Sequence, residues 1–405
     1  MTAPAHTVAI VGASLAGLKV AEQARRSGFE GRLVLIGDEP HVPYDRPPLS
    51  KKVLLGQATL DDLALRTQPW DELDVELRLG TAATALDGSN RVVSLADGTS
   101  VEADHVFICT GVRARQLPSH GPRAGLHVIR TWEDAVAVRE RMVPATTVVI
   151  AGGGFIGAEA AAVAVSLGCR AVLVEPGPTL MLRGLGDRWG RHAERLHRDR
   201  GVDVRTGTTI ATIEGDEQVE AVVLSDGERI ETRLVVVGIG ATPNTEWLDG
   251  SGVAVDDGVV TDAFGQTSVP RVWAVGDVAR FRHERYGRAM RVEHWTNAVE
   301  MARAVTINAL EPDKRAPFDT IPMVWSDQFE FKIQIAGLIE PGFEERVVLG
   351  SPEEGEFLAL YGSPDGLLMG AISFNRAAML VRMKQNMARG ATLEQAVAFT
   401  QRGRG

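Results

Sequence analysis

The sequence predicts an α/β fold made of two nucleotide-binding βαβ modules and an α+β C-terminal segment. Three observations lead to it. An apolar, β-branched run near the start ends in a glycine-rich turn. The same strand–turn–helix–strand order returns later, with its turn glycines Gly12 and Gly152 standing 140 positions apart. From about Phe318 the pattern changes to short strand-like runs before a helical tail.

In the first module Thr7 to Val11 reads as a strand, Leu15 to Arg26 as a helix and Arg32 to Ile36 as the next strand, which ends at Gly37-Asp38-Glu39. In the second, Thr147 to Ala151 is a strand, Gly152 to Gly157 a turn, Ala158 to Leu167 a helix and Ala171 to Val174 a strand leading to Glu175. Each module closes with strands beside a turn dipeptide. Asp97-Gly98 precedes Val106 to Cys109, and Asp226-Gly227 precedes Leu234 to Val237. The C-terminal strand-like pieces are Phe331 to Ile335, Val347 to Leu349, Phe357 to Leu360 and Leu367 to Phe374, and a helical tail runs from Arg376.

Composition narrows the function. The chain has 405 residues, room for two or three domains, and 24% of them are charged, as in ordinary globular proteins. Two cysteines exclude a disulfide-stapled fold and any zinc or iron–sulfur site built from this chain's own thiols. The net charge of −10 argues against nucleic acid as a partner. No Lys or Arg precedes the apolar stretch Val8 to Gly17, which does not read as a signal peptide. Glu159 and a crowd of glycines keep Val148 to Val174 from reading as a membrane span. A soluble, cytoplasmic protein is expected.

The second turn, Gly152-Gly153-Gly154-Phe155-Ile156-Gly157, is a complete G-x-G-x-x-G between strand and helix. Gly152 permits the tight turn, Gly154 leaves room for a pyrophosphate, and Gly157 lets helix and strand approach. The helix N-terminus supplies free N–H groups for the phosphates. Glu175, at the end of the next strand, is placed to hold ribose hydroxyls. No Arg or Lys follows within seven residues to receive a 2′-phosphate, which favours NADH over NADPH. The first turn, Gly12-Ala13-Ser14-Leu15-Ala16-Gly17, has Ser14 in place of the middle glycine. Asp38 or Glu39 suits its ribose. Two such folds imply two dinucleotides, a hydride donor and a flavin.

At Pro43-Tyr44-Asp45-Arg46-Pro47-Pro48-Leu49-Ser50-Lys51 the chain resembles the FAD-containing, NADH-dependent ferredoxin reductases of bacterial cytochrome P450 and aromatic-ring dioxygenase systems. Thr110-Gly111, Val272-Trp273-Ala274-Val275-Gly276-Asp277, Val292-Glu293-His294-Trp295 and Val324-Trp325-Ser326-Asp327-Gln328 resemble further blocks of that family. The resemblance runs from Val8 to about Phe374.

It implies a glutathione-reductase-like arrangement with a discontinuous FAD-binding domain (1–111 and 238–317), an NADH-binding domain (112–237) and a C-terminal α+β domain (318–405). Lys51 is implied near the reactive edge of the flavin, paired with Glu159 on the first turn of the second module's helix, and Trp325 beside the ring near the docking side. These three are the catalytic candidates. Gly12, Ser14, Ala16, Gly17, Asp38, Arg46, Lys51, Ala83, Thr110, Gly111, Arg130, Gly276, Asp277 and Trp295 are the FAD candidates. Gly152, Gly154, Ile156, Gly157, Glu159, Glu175 and Gly240 are those for NADH.

The resemblance also implies an NADH:ferredoxin oxidoreductase whose flavin passes electrons to a [2Fe–2S] ferredoxin serving a P450 or dioxygenase. The alternatives are another acceptor on the same fold (rubredoxin, a quinone, monodehydroascorbate or oxygen) and a flavin–NADH signalling protein like the apoptosis-inducing flavoproteins. Relatives that reduce disulfides or peroxides carry a cysteine near the flavin; this chain has none from Pro43 to Lys51, and Cys109 and Cys169 read as packing residues. His192 and His197, at i and i+5, do not match a zinc helix and read as surface residues; no metal is assigned. Two segments reverse the acidic total. Arg280 to Arg291 holds five Arg and one Glu, and from Arg376 onward there are six Lys or Arg and one Glu. Ferredoxins are typically acidic, so Arg303, Lys332, Arg382 and Lys384 are the docking candidates.

Overall fold

The computed structural model describes residues 6–66, 68–117 and 124–402. Two compact units emerge. One comprises Met1–Asp45, Leu60–Arg113 and Thr242–Thr320; the other comprises Arg46–Thr59, Ala114–Ala241 and Ile321–Gly405.

The first unit is built on a parallel sheet in the order Val272–Ala274, His105–Ile108, Thr7–Val11, Arg32–Ile36, Glu76–Arg78. Thr7–Val11 lies between two parallel neighbours, with Val8 opposite Leu33 on one side and His105 on the other. Ile10, Leu35 and Phe107 are fully buried. A parallel sheet covered on both faces needs apolar residues at successive positions, which is why these strands read as continuous runs. Each such side chain contributes roughly 1.5–3 kcal/mol of burial free energy. The helix Leu15–Arg26 follows the first turn, carries Arg25 and Arg26 at its negative end, and packs against the helix Trp295–Leu310. Antiparallel strands Ala83–Asp87, Val92–Leu95 and Ser100–Glu102 form a meander around the Asp97-Gly98 turn.

The second unit repeats the plan. Its parallel sheet runs Asp203–Thr206, Arg170–Glu175, Thr147–Ala151, Leu234–Val237, Leu126–Val128. The helix after its glycine turn is Phe155–Ser166, and every residue from Gly157 to Ala164 is buried. A helix apolar all round is a core helix, which explains the span-like look of this stretch. Among the described residues no helix is long and apolar enough to cross a membrane.

The same unit contains an antiparallel sheet in the order Met323–Gln328, Phe331–Gly337, Leu368–Phe374, Glu356–Gly362, Glu344–Ser351. The helices Ala377–Ala388 and Leu393–Arg402 follow it. Leu380, Met383 and Met387, spaced for one helix face, join the core beneath this sheet.

Four expectations change. The second-module helix begins at Phe155, three residues before the expected Ala158. The C-terminal tail is two helices. The strand Met323–Gln328 had no strand signal, because Ser326 and Gln328 occupy its buried face where apolar residues would mark one. His192 and His197 are buried, not on the surface. His197 Nδ1 lies 2.9 Å from the Ala193 carbonyl, and burial holds its pKa below the usual histidine value.

Candidate functional site

The expected site residues fall in both units, and each set is described within its own.

In the first unit the turn after Thr7–Val11 is a steric necessity. Gly12 has φ +120°, and a Cβ there would stand 2.2 Å from the Cys109 carbonyl oxygen. A Cβ on Gly17 would stand 2.1 Å from the Gly12 oxygen. Ser14 is the N-cap of the helix Leu15–Arg26 and its side chain makes no capping bond to the helix. Ala16 meets Gly276 closely, 3.1 Å from where a Gly276 Cβ would lie. Asp277 follows Gly276 in a short 3-10 turn, and Ala83 opens a meander strand. Trp295 is the first residue of its helix and donates its indole N–H to Asp45 at 2.8 Å.

Strand register separates the two acids proposed for the first ribose. Val11 pairs with Ile36, as Ala151 pairs with Val174 in the second module. Glu175 therefore corresponds to Gly37, and Asp38 stands one residue further on. Asp38 is exposed, its carboxylate accepting the Glu39 N–H at 3.1 Å, while Glu39 accepts the Tyr44 hydroxyl at 2.5 Å. Asp38 is the acid left facing solvent.

Thr110 and Gly111 are tied to a residue that the motif reading missed. The Thr110 hydroxyl donates to the Asn244 carbonyl at 2.8 Å, and the Asn244 amide donates back to the Thr110 carbonyl at 2.9 Å. The Asn244 N–H reaches the Gly111 carbonyl at 3.0 Å. Pro243-Asn244, a turn-forming pair, was the available signal. Cys109 lies beneath this crossing, and burial pushes its thiol well above the ordinary range. Cys169 is also buried, and burial raises its thiol as well.

In the second unit Gly152, at φ +102°, would place a Cβ 2.4 Å from the Gly238 oxygen, and Gly157 would place one 1.9 Å from the Gly152 oxygen. Gly154 differs: a Cβ there meets nothing within 4 Å. It is the N-cap of Phe155–Ser166, with no side-chain cap, so the positive end of the helix opens on unfilled space. Ile156 beside it is exposed. Glu175 is fastened to the glycine loop, accepting the Gly153 N–H at 2.7 Å and the Gly177 N–H at 2.6 Å. Gly240 has φ +105° and accepts the Arg115 N–H at 3.0 Å. An open cradle before an uncapped helix, with a fixed carboxylate one strand away, fits the diphosphate and ribose of a dinucleotide.

Lys51 and Glu159 are in contact, with Nζ 2.8 Å from Oε1. Glu159 is buried and sits on the second turn of its helix, not the first as expected, since the helix begins at Phe155. The hydroxyls of Ser50 and Ser326 reach the same carboxylate. Trp325 is half-buried and, by strand alternation, points to the opposite face of Met323–Gln328 from Ser326. Arg46 donates to the Arg130 carbonyl at 2.6 Å, while the Arg130 N–H is held by Asp134 at 3.0 Å.

Of the docking candidates, Arg303 and Arg382 are exposed on helices, Lys332 is exposed and paired with Asp327 at 2.9 Å, and Lys384 is half-buried. The segment Arg280 to Arg291 is less basic than it reads. Arg280 pairs with Asp256, Arg282 with Glu284, Arg285 with Asp319, and Arg291 with Asp257 and Glu293. Among the described residues no group of three or more His, Cys, Asp or Glu is gathered to hold a metal.

A family model described as pyridine nucleotide-disulphide oxidoreductase matches residues 6–302, and one described as reductase C-terminal matches residues 323–402. Putidaredoxin reductase of Pseudomonas putida is 37% identical over 369 residues, 89% of this chain and 87% of its own. The ferredoxin–NAD(+) reductase component of the biphenyl dioxygenase system of Paraburkholderia xenovorans is 35% identical over 371 residues, 91% of this chain and 90% of its own. The covalent putidaredoxin reductase–putidaredoxin complex superposes with a TM-score of 0.90 at 34% identity, covering 95% of this chain and 93% of the other. The ferredoxin reductase for the CYP199A2 system from Rhodopseudomonas palustris superposes with a TM-score of 0.89 at 36% identity, covering 96% and 97%.

Proposed function

The chain belongs to the pyridine nucleotide-disulphide oxidoreductase family, and from that premise we propose that it is an NADH-dependent, FAD-containing reductase of a [2Fe–2S] ferredoxin serving a cytochrome P450 or a ring dioxygenase. One observation carries the reading. A scaffold with two dinucleotide turns has buried both of its thiols, Cys109 and Cys169, as packing groups. Without a thiol relay, electrons leave for an external carrier.

Bound FAD supplies a hydride acceptor that releases electrons one at a time. The protein supplies position and charge. The helix ends after Ser14 and Gly154 face the diphosphates of FAD and NADH, Asp38 and Glu175 the riboses. Glu175, already fixed by two backbone N–H groups, meets a 2′-hydroxyl as acceptor and repels a 2′-phosphate. Lys51, kept in place by Glu159, presents a cation where the flavin becomes more negative on reduction, so that little reorganisation is needed when charge arrives. Arg303, Lys332, Arg382 and Lys384 are proposed to steer an acidic ferredoxin, and a cytoplasmic location suits partners of this kind.

The test is an anaerobic titration of the purified protein with NADH, followed by mixing with [2Fe–2S] ferredoxins. Bleaching of a flavin spectrum by NADH and oxidation of the reduced flavin by ferredoxin are expected, with the second rate falling steeply as salt is added. A flavin that NADH reduces but no ferredoxin reoxidises would remove the acceptor assignment. A salt-independent rate would remove the four docking residues.

A further inference from the structure

We propose that Ser326 and Ser50 are positioning residues that clamp the Glu159 carboxylate against Lys51, with Gln328 behind Ser326 fixing the direction of its hydroxyl. The inference rests on the reading of Lys51 as the flavin-side cation and goes beyond it to what holds that cation in place.

Glu159 is 4% exposed, on a helix whose other inward residues are alanine, glycine and valine. Polar oxygens so far from water are costly to bury unless they are well supplied with donors. Three reach the carboxylate. Lys51 Nζ is 2.8 Å from Oε1, Ser326 Oγ donates to the same oxygen at 2.5 Å, and Ser50 Oγ donates to Oε2 at 2.5 Å. The two hydroxyls come from different parts of the chain, and neither comes from the helix that carries the glutamate. Ser326 is fully buried and Ser50 nearly so.

The Ser326 hydroxyl has its direction set from behind. Gln328, two residues along on the same strand face, donates its Nε2 to Ser326 Oγ at 2.9 Å and lies against Met181 Sδ at 3.2 Å. With that lone pair occupied, the Ser326 proton points to Glu159, giving a one-way chain from Gln328 through Ser326 to the carboxylate. Lys51 is fixed at a second point by the Pro47 carbonyl at 3.2 Å. Two of its three N–H directions are therefore used by Glu159 and Pro47. If the carboxylate shifts, the ammonium loses the partner that aims it.

Among the described residues, the titratable groups nearest the carboxylate are these. Lys51 approaches from the segment before it. His197, on the helix Leu182–Asp199, touches the Ala158 carbonyl through Nε2 at 3.3 Å, and burial lowers its pKa from the ordinary histidine value. Asp327, next to Ser326, points to the other face of its strand and pairs with Lys332.

The experiment compares holoenzymes of Ser326→Ala, Ser50→Ala and Gln328→Leu with the parent and with Glu159→Gln. The measurements are the stopped-flow rate of flavin reduction by NADH between pH 6 and 9, the flavin midpoint potential, FAD content and Tm. A hydrogen bond to a buried charge is worth enough that Ser326→Ala is expected to slow reduction roughly 10- to 100-fold. Its pH profile should also differ from the parent's, because the buried carboxylate has lost a donor. Its potential should move toward that of Glu159→Gln, and Ser326→Thr, which keeps the hydroxyl, should restore the parental profile. Gln328→Leu should shift the same readouts less. If Ser326→Ala and Ser50→Ala keep full FAD content, the parental pH profile and the parental potential, the clamp is refuted. If Ser326→Ala does not fold, Ser50→Ala and Gln328→Leu decide by the same readouts. A parent protein that NADH fails to reduce would instead overturn the functional reading.

Discussion

Replacing Gly154 by alanine adds one methyl group, and the structure says where its effect must fall. Gly154 has φ −73° and ψ −173°, a conformation alanine adopts without strain. Its added carbon would meet no atom of the chain within 4 Å. The fold should therefore lose nothing, and the reduced freedom of the unfolded chain could stabilise it by about 0.4–1 kcal/mol. The methyl does, however, occupy the approach to the uncapped helix end. Displacing a phosphate there by even one hydrogen bond costs about 1.5–3 kcal/mol, so NADH binding should weaken roughly 10- to 100-fold. Gly157→Ala is the control with the opposite logic. Its Cβ would lie 1.9 Å from the Gly152 oxygen and must open to at least 3.0 Å, lifting the helix by about 1.1 Å. Overpacking of this kind costs about 1–3 kcal/mol, and the same shift would pull Glu159 from its partners. Calorimetry and equilibrium titration with NADH check both variants. An unchanged NADH affinity in Gly154→Ala refutes the cradle assignment, and a clear fall in its Tm would make Gly154 a structural glycine instead.

Glu175→Ala should erode the preference for NADH over NADPH by tenfold or more, read from the ratio of kcat/KM values, because it removes both the ribose acceptor and the charge that repels a 2′-phosphate; an unchanged ratio removes Glu175 from the ribose site. Trp325→Ala should alter acceptor turnover or the visible flavin spectrum while flavin reduction by NADH persists, since Trp325 and the Glu159 clamp face opposite sides of one strand; no change in either property makes it a packing residue. Burial lowers His105 and His294 to about 4 from an ordinary value of 6.5, and also lowers His283. His105 and His294 each take up a proton on unfolding between those limits, so stability should be complete above about pH 6.5 and fall as pH drops toward 4, by up to about 1.4 kcal/mol per pH unit for each proton. Tm measured from pH 8 to 5 checks this, and a flat profile refutes it.

What the sequence determined by itself was local. Strand–turn–helix order with glycines at fixed spacing is a short-range pattern, and it located both glycine turns, the strands Thr7–Val11 and Thr147–Ala151, the helix Leu15–Arg26 and the strand end at Glu175, because each depends on residues close along the chain. The scarcity of cysteine excluded a thiol relay with no need of coordinates. Tertiary structure decided whatever depends on distant residues meeting. Asn244 closes on Thr110 across 134 positions of chain. The strand Met323–Gln328 left no apolar pattern because its inward residues Ser326 and Gln328 are polar, and the carboxylate that Ser326 meets comes from another element. The arginines of 280–291 look like a basic face in sequence, and the fold brings Asp256, Asp257 and Asp319 to them. Burial tells the same story: His192 and His197 read as surface groups until sheet and helix closed over them. A turn is specified by its own backbone, whereas the charge, burial and hydrogen-bonding of a side chain belong to its neighbours in space, and only the folded chain chooses those.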